Sequence, residues 1–306
     1  MSSLPSTGAD RPCPVCGGRA SDHFADERIN AEQISGLTYA SRKPPEFMCL
    51  RLVRCTSCDL VYAPAPPAPA FLEEAYAEAD FDSNPEALAA ARSYAAALTP
   101  HLVALKGRHA AVDVGAGSGP LLPWLMAQGF SPVIGIEPSR AAIEAAPPDI
   151  QAMLREGMFS PEMLAGEQPS LICSFMTLEH VADPRSLADT AYRLLEDGGA
   201  FAVVVHDWRA PLNRLLGLRS PIIDIEHLQL FSPRSLLSLF ERAGFASIRI
   251  QPIRNTYPLR YWLRLTPLPT PVKKAILRLL EKMGLADRTL ALSVGNMLAF
   301  GIKMHN

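Results

Sequence analysis

The sequence predicts an α/β fold: a doubly wound, mostly parallel seven-stranded sheet, with a small cysteine-built module at its N-terminus. Three observations carry this. From 110 to 206, apolar strand-like runs alternate with helical stretches, the pattern of strands joined by crossover helices. Residues 112–121, VDVGAGSGPL, set Gly115, Gly117 and Gly119 at alternate positions directly after one such run. Five of the six cysteines fall within residues 1–62, four of them paired as Cys13-Pro-Val-Cys16 and Cys55-Thr-Ser-Cys58.

The bulk composition bounds the function. At 306 residues, 48% hydrophobic and 20% charged, the chain can bury a sizeable core. A net charge of −2 gives no global basic field, which argues against DNA and disfavours RNA. The N-terminus lacks the basic-then-apolar pattern of a signal peptide, and no apolar run reaches the ~18 residues of a membrane span. A cytoplasmic location is expected, with the cysteines as thiols or metal ligands.

The elements follow in order. Residues 1–62 form the cysteine module, in which YASRKPPEF is expected to loop out. Residues 63–107 begin with APAPPAPA, a stiff extended connector, and continue with helices over 70–79 and 85–98. From 108 to 306 the main domain carries strands at 110–115, 132–137, 150–155, 169–175 and 199–206. Helices fall at 119–128, 139–146 and 184–196, and SPRSLLSLFERAGF (232–245) is a capped amphipathic helix ending at Gly244. Strands at 246–251 and 292–303 complete the sheet.

The glycine loop lies between a strand and a helix, the setting of a nucleotide site. Its spacing is not the dinucleotide G-x-G-x-x-G, because Pro120 takes the sixth position. Asp113, two residues before the first glycine, would repel a pyrophosphate. It suits a cofactor with positive charge and no phosphate, and S-adenosylmethionine (SAM) fits. Glu137, 24 residues on at the end of the next strand, can accept ribose hydroxyls. The bland alternative is a glycine turn with Ser118 capping the helix.

Two Cys-x-x-Cys pairs offer four thiolates that paired turns can set around a structural Zn²⁺ in a ribbon-like module. Cys49 and His23 lack the spacing of further ligands. A redox dithiol and unrelated reduced cysteines are the competing readings. Methyl transfer would also want a base near the strand ends. Glu179-His180 and Glu226-His227 each put an imidazole beside a carboxylate, with His206-Asp207 a weaker third pair. His101, His109 and His305 read as surface residues.

AVDVGAGSG, IGIEPS, LICSFMTLEHVADP and LEDGGAFAVVV, in that order, resemble the class I SAM-dependent methyltransferases, with their Rossmann-like sheet. The resemblance implies that Asp113, Gly115, Gly117 and Gly119 hold the amino-acid end of SAM and Glu137 its ribose. Met158 and Phe159 would pack on the adenine, and Phe175 would line the transfer pocket. CPVCGG…LVRCTSCDLVYAPAPP ahead of such a domain resembles bacterial sugar methyltransferases with a zinc domain, including the deoxysugar C-methyltransferases. There, residues matching His180, Glu226 and His227 line the sugar site. Asp224 stands where that family has Tyr, and its second C-terminal α/β domain finds no room in these 306 residues.

Residues 253–292 form a basic, aromatic insertion, with eight basic residues against two acidic ones and a helix expected over 271–283. Such a stretch suits an interfacial membrane element at the inner membrane face, a helix pair that covers the sheet and packs the protein against itself or a twin, or a grip on RNA phosphates. The leading expectation is a methyltransferase acting on a sugar, nucleotide-sugar or lipid-linked glycan precursor of polysaccharide biosynthesis. An RNA methyltransferase with a zinc RNA-binding module, and a non-catalytic SAM-binding scaffold, are the alternatives.

Overall fold

A computed structural model describes residues 10–30, 32, 34, 38–39, 46–79, 84–164, 166–266 and 268–304. Most of YASRKPPEF, and His305, lie outside the described residues.

The N-terminal strands β1 (Ser21–Ala25), β2 (Leu52–Cys55) and β3 (Val61–Tyr62) pair antiparallel. The proline-rich connector runs extended and mostly buried, and Ala63 N donates to Leu228 O at 2.8 Å. Its last proline starts α1 (Pro69–Ala77), where a missing N–H is harmless. The long α2 (Asn84–Leu98) follows.

The main sheet then builds through β4 (Ala111–Val114), α3 (Leu122–Ala127), β5 (Val133–Glu137), α4 (Arg140–Glu144), α5 (Pro148–Gln151) and β6 (Leu154–Glu156). Next come β7 (Leu171–Phe175), α6 (Pro184–Leu194), β8 (Ala200–His206), α7 (Pro211–Leu216), β9 (Gln229–Leu230) and α8 (Pro233–Ala243). The chain ends through β10 (Ala246–Pro258), α9 (Leu259–Leu265), α10 (Thr270–Lys282) and β11 (Thr289–Ile302). Seven strands lie in the order β10-β11-β8-β7-β4-β5-β6. The five from β6 to β8 are parallel, and β11 and β10 add antiparallel. This is the predicted doubly wound sheet.

Local chemistry explains the elements. β8, AFAVVVH, is buried on both faces and so reads as one apolar run. α8 starts in a capping box of Ser232 and Ser235 and stops at Gly244, whose φ of 98° only glycine adopts cheaply. Phe201 stacks on Phe240 and Phe245 at 5.4 and 5.5 Å, tying α8 to the sheet. Burying each such ring contributes about 1.5–3 kcal/mol.

Several boundaries differ from expectation. The helix expected from 119 starts at Leu122, because Gly115, Gly117 and Gly119 all take positive φ; its N-cap position is Leu121, not Ser118. The strand expected over 150–155 begins at Leu154, since Pro148 starts a helical turn. The flanks of the 253–292 insertion are strand, extending β10 and β11 into a long ribbon. His101 is half-buried, not on the surface, and stacks on Phe300 at 5.2 Å. His109 is exposed and pairs with Glu196.

Candidate active site

The glycine loop is stitched to β5: Gly115 N and Ala116 N donate to Ile136 O at 2.9 and 3.1 Å. A Cβ on Gly115 would meet Thr177 Oγ1 at 2.3 Å, and Thr177 in turn donates to Val114 O at 3.0 Å. Gly119 is a packing glycine, its missing Cβ taken up by Ile150 and Leu122. At Gly117, φ is 56° and a Cβ would meet no atom within 4 Å. Here the backbone lies open to a ligand.

Two buried carboxylates flank this loop: Asp113 on β4, which does not line the adjoining cavity, and Glu137 at the end of β5, which does. Glu137 Oε2 accepts from Gly117 N at 2.7 Å and Oε1 from Ser139 N at 2.8 Å. Each oxygen keeps a further lone pair for a ligand hydroxyl. Burial pushes the Glu137 carboxyl up, against the pull of those two N–H groups. Asp113 is only 4% exposed, and burial, then the Glu137 charge, pushes it up to about 7. Among the described residues no cation acts on either carboxyl, and a cradle of two such acids fits a cationic ligand. The ammonium and sulfonium of SAM meet that requirement.

One cavity of about 970 Å³ begins at Gly115, Gly117 and Glu137. Met158 and Phe159 line it beside Gly157, whose N–H donates to Glu137 O at 3.0 Å. Phe175 does not line it. As the last residue of β7 it turns its ring onto Tyr94 at 5.6 Å, and Met176 (φ 58°) and Thr177 face the cavity instead. That position was expected to line the transfer pocket.

Beyond Thr177 the cavity reaches a polar cluster. His180 Nδ1 lies 3.7 Å from Glu226 Oε2 and 3.2 Å from the Tyr76 hydroxyl. The His227 ring sits 4.8 Å from His180 and 5.2 Å from His206. His227 Nδ1–H donates to Ile222 O at 2.9 Å, which leaves the Nε2 lone pair free of its own proton. Burial, then the neighbouring His180, lowers His227 to about 4, so it is neutral near pH 7. Glu179 is fully buried behind the cluster and accepts from His206 N at 2.6 Å. Burial works to raise its carboxyl, but His206, His227 and His180 together hold it below its ordinary range. Tyr76 stays a phenol, raised by burial and by the Glu226 charge. Ligand atoms of His180, Glu226 and His227 lie within 4.8 Å of one another, close enough to share one metal ion as well as one proton. Asp224 also lines the cavity, and its carboxylate accepts from Glu226 N and Glu46 N.

The four cysteines of the two Cys-x-x-Cys pairs meet. Cys13 and Cys58, and Cys16 and Cys55, have Sγ–Sγ distances of 3.5 Å, too long for disulfides. All four Sγ lie within 4.8 Å of one another, as a tetrahedral Zn²⁺ at ~2.3 Å per bond would need. Contact with Cys58, against the effect of burial, lowers Cys13 to about 5, while Cys58 is pushed up by the same contact. Gly17, at φ 74°, makes the knuckle, and Gly18 N donates to Cys16 Sγ at 3.4 Å. Cys49 and His23 lie outside the cluster; Cys49 donates to Asp26 O and His23 pairs with Asp26.

This cysteine knuckle is joined to the polar cluster. β3 pairs antiparallel with β9, two residues past His227. Arg11 donates to Ala63 O, to Ala182 O and to Gln229 Oε1. Gln229 Nε2 donates to Leu178 O and Val181 O, and Leu228 N to Glu179 O. The loops of His180 and of Glu226-His227 are thus tied together from the N-terminal side. Tyr76, Gln229 and Arg11 carry no sequence motif; for Tyr76 alone the i, i+4 spacing from Leu72 on α1 is a local signal.

A family model described as "Methyltransferase domain" matches residues 86–250, more than half of the chain. Among solved structures, a SAM-dependent methyltransferase of Thermotoga maritima is 19% identical over 72% of this chain and 90% of its own, with a TM-score of 0.44. A SAM-dependent methyltransferase of Archaeoglobus fulgidus gives 16% identity, 70% and 94% coverage and a TM-score of 0.47. Human N-acetylserotonin methyltransferase in complex with SAM gives 17%, 70% and 52%, with 0.44. No curated protein matches the chain.

Proposed function

The chain belongs to the methyltransferase-domain family and is a SAM-dependent methyltransferase, and from that premise we propose that its acceptor is a sugar, a nucleotide-sugar or a lipid-linked glycan precursor. The observation that carries this is the single cavity that joins the glycine-loop cradle to the cluster of His180, Glu226 and His227. SAM supplies an electrophilic methyl group on a good leaving group. The chain then has to align an acceptor oxygen or carbon and remove its proton.

In this reading Asp113 balances the cofactor's positive charge, Glu137 accepts its ribose hydroxyls, and Gly115 and Gly117 let it lie against the backbone. Met158 and Phe159 pack on its base. Gly119 supports the turn from behind, and Phe175 acts only through Tyr94. His180 is the group that takes the acceptor proton, with Glu226 stabilising the imidazolium. His227, held neutral and oriented by Ile222 O, accepts a hydrogen bond from an acceptor hydroxyl through Nε2. The Cys13, Cys16, Cys55 and Cys58 set holds a structural Zn²⁺ with no open position for chemistry.

Methyl-labelled SAM, the purified protein and a cell extract divided into nucleotide-sugar, lipid-glycan and RNA fractions test this. Label in either sugar fraction supports the reading. Label in the RNA fraction overturns it and makes the basic insertion a phosphate grip. A His180→Ala variant that transfers methyl as well as the parent protein would remove His180 from the chemistry.

A further inference from the structure

Among the described residues, no helix is long and apolar enough to cross a membrane. The insertion nonetheless has an unusual distribution of apolar surface. α9 and α10 stand at the end of the β10–β11 ribbon and roof one end of the cavity. Trp262, Leu263, Leu265 and Leu280 line it from there, with Leu292 below. α10 buries no residue at all. On its outer side Val272, Leu279 and Met283 are 43%, 56% and 59% exposed. Their spacing of seven and four places them on one stripe of the helix. Leu268 and Leu290, on either side of α10 in the sequence, are exposed as well.

Charge completes the pattern. Lys274, Arg278 and Lys282 are exposed on the same helix. The insertion as a whole holds eight basic and two acidic residues, while the full chain carries −2. A positive, apolar-striped cap on an otherwise acidic protein is matched by one surface above others: a bilayer that is negative at its headgroups and apolar below. The cap's other side faces the cavity that begins at the proposed SAM cradle.

We propose that the insertion seats this protein on an anionic bilayer, and that the apolar end of the cavity takes the hydrocarbon chain of a lipid-linked acceptor whose polar end reaches His180. This rests on the methyltransferase function proposed above and chooses the lipid-linked class within it. The outer stripe enters the headgroup boundary, the flanking Lys and Arg pair with lipid phosphates, and the inner face of α9–α10 keeps the acceptor chain out of water.

The test uses the full chain with its metal. It is sedimented with phosphatidylcholine vesicles, with and without phosphatidylglycerol. Binding is expected only with the anionic lipid and is expected to weaken as salt rises. The pair Leu279→Glu and Met283→Glu should lower vesicle binding by about a hundredfold or more, and Arg278→Glu with Lys282→Glu by about tenfold or more. Both pairs should leave the melting curve and SAM binding unchanged, since these side chains touch neither. Methyl label should enter the lipid-linked fraction, and the Leu279/Met283 pair should lose it. A parent protein that stays in the supernatant with anionic vesicles overturns the proposal. So does a dimer, or an RNA complex, that the same substitutions dissolve in place of vesicle binding. Label in soluble nucleotide-sugars alone overturns the lipid acceptor but keeps the methyltransferase function, whereas failure to bind SAM removes that function itself.

Discussion

Replacing Asp113 with Asn should stabilise the cofactor-free protein while abolishing its response to SAM. Asp113 is 4% exposed beside a second buried acid, and its carboxyl is pushed from an ordinary 3.8 up to about 7, by burial first and by Glu137 second. In the unfolded chain the group ionises near 3.8, whereas in the fold it holds its proton to about 7. Between these values the folded state binds more protons than the unfolded one, so stability falls as pH rises through that window and levels off above it. The gap corresponds to about 4 kcal/mol at its ceiling. Asn is of similar size and carries no charge to desolvate, so it escapes the penalty.

Thermal unfolding of parent and variant from pH 5 to pH 8, with and without SAM, measures both effects. Without SAM the variant's advantage should grow with pH. It should reach several degrees at pH 8, at about 2 °C per kcal/mol for a chain of this length. The parent should gain its lost stability back when SAM is added, because a cation beside the carboxylate removes the reason to keep the proton. The variant should gain little. An advantage that does not change with pH would refute the buried-acid argument. A variant that SAM protects as well as the parent would refute the cation pairing.

Three further outcomes are expected. Gly115→Ala forces a Cβ at φ 75° to within 2.3 Å of Thr177 Oγ1 and should lower stability by about 2–3 kcal/mol. Gly117→Ala meets no atom and should lower it by only about 1 kcal/mol. Calorimetric titration should nonetheless find SAM binding weakened about tenfold or more in Gly117→Ala, because the new methyl enters the cradle. Glu226→Gln should lower kcat by about a hundredfold or more and change the acid limb of its pH profile, with SAM affinity kept, once the acceptor is in hand. Metal analysis should find one zinc per chain, lost in Cys16→Ser. Hydrogen exchange should then quicken at 226–231 and 178–182, through the β3–β9 pairing and Gln229, and not at the glycine loop.

The cofactor cradle was legible in the sequence because its parts are local. Asp113 and the glycines share one strand-to-helix turn, and Glu137 ends the next strand, so spacing alone brings them together. The mostly parallel character of the sheet followed from the alternation of elements for the same reason. Phe175 was misplaced because a strand ends where its neighbours stop pairing, which the sequence does not mark. The left-handed Met176 then turns the chain so that Thr177 meets the cavity in place of Phe175. The polar cluster was legible only as two separate dipeptides. Tyr76 reaches His180 across 104 residues and Arg11 reaches Gln229 across 218, contacts that no periodicity encodes. The strands at 246–251 and 292–303 were read as such, but residues 253–258 and 289–291, which lengthen them into the β10–β11 ribbon, were counted with the basic insertion.

The contacts of Arg11 explain why a cysteine knuckle sits on this sheet at all. His180 and Glu226-His227 stand on loops with no helix or strand of their own, so no regular hydrogen bonding fixes the distance between them. Arg11 and Gln229 supply that fixing with bonds to Ala182, Leu178 and Val181. Burial lowers the Arg11 guanidinium to about 10, with Asp183 opposing the change, so it still carries its charge at neutral pH. A charged group is kept buried only where its donors are used, and all three of its partners are backbone or amide oxygens of these loops and their connector. Arg11 N donates to Pro64 O at 2.7 Å, and the knuckle begins two residues on, closed by Cys13 N donating to Gly18 O at 2.9 Å and Gly17 N to Cys13 O at 2.8 Å. A metal there would thus act on the acceptor centre through position alone. It would hold Arg11, Arg11 would hold two loops, and the loops would set the distance at which His180 meets Glu226.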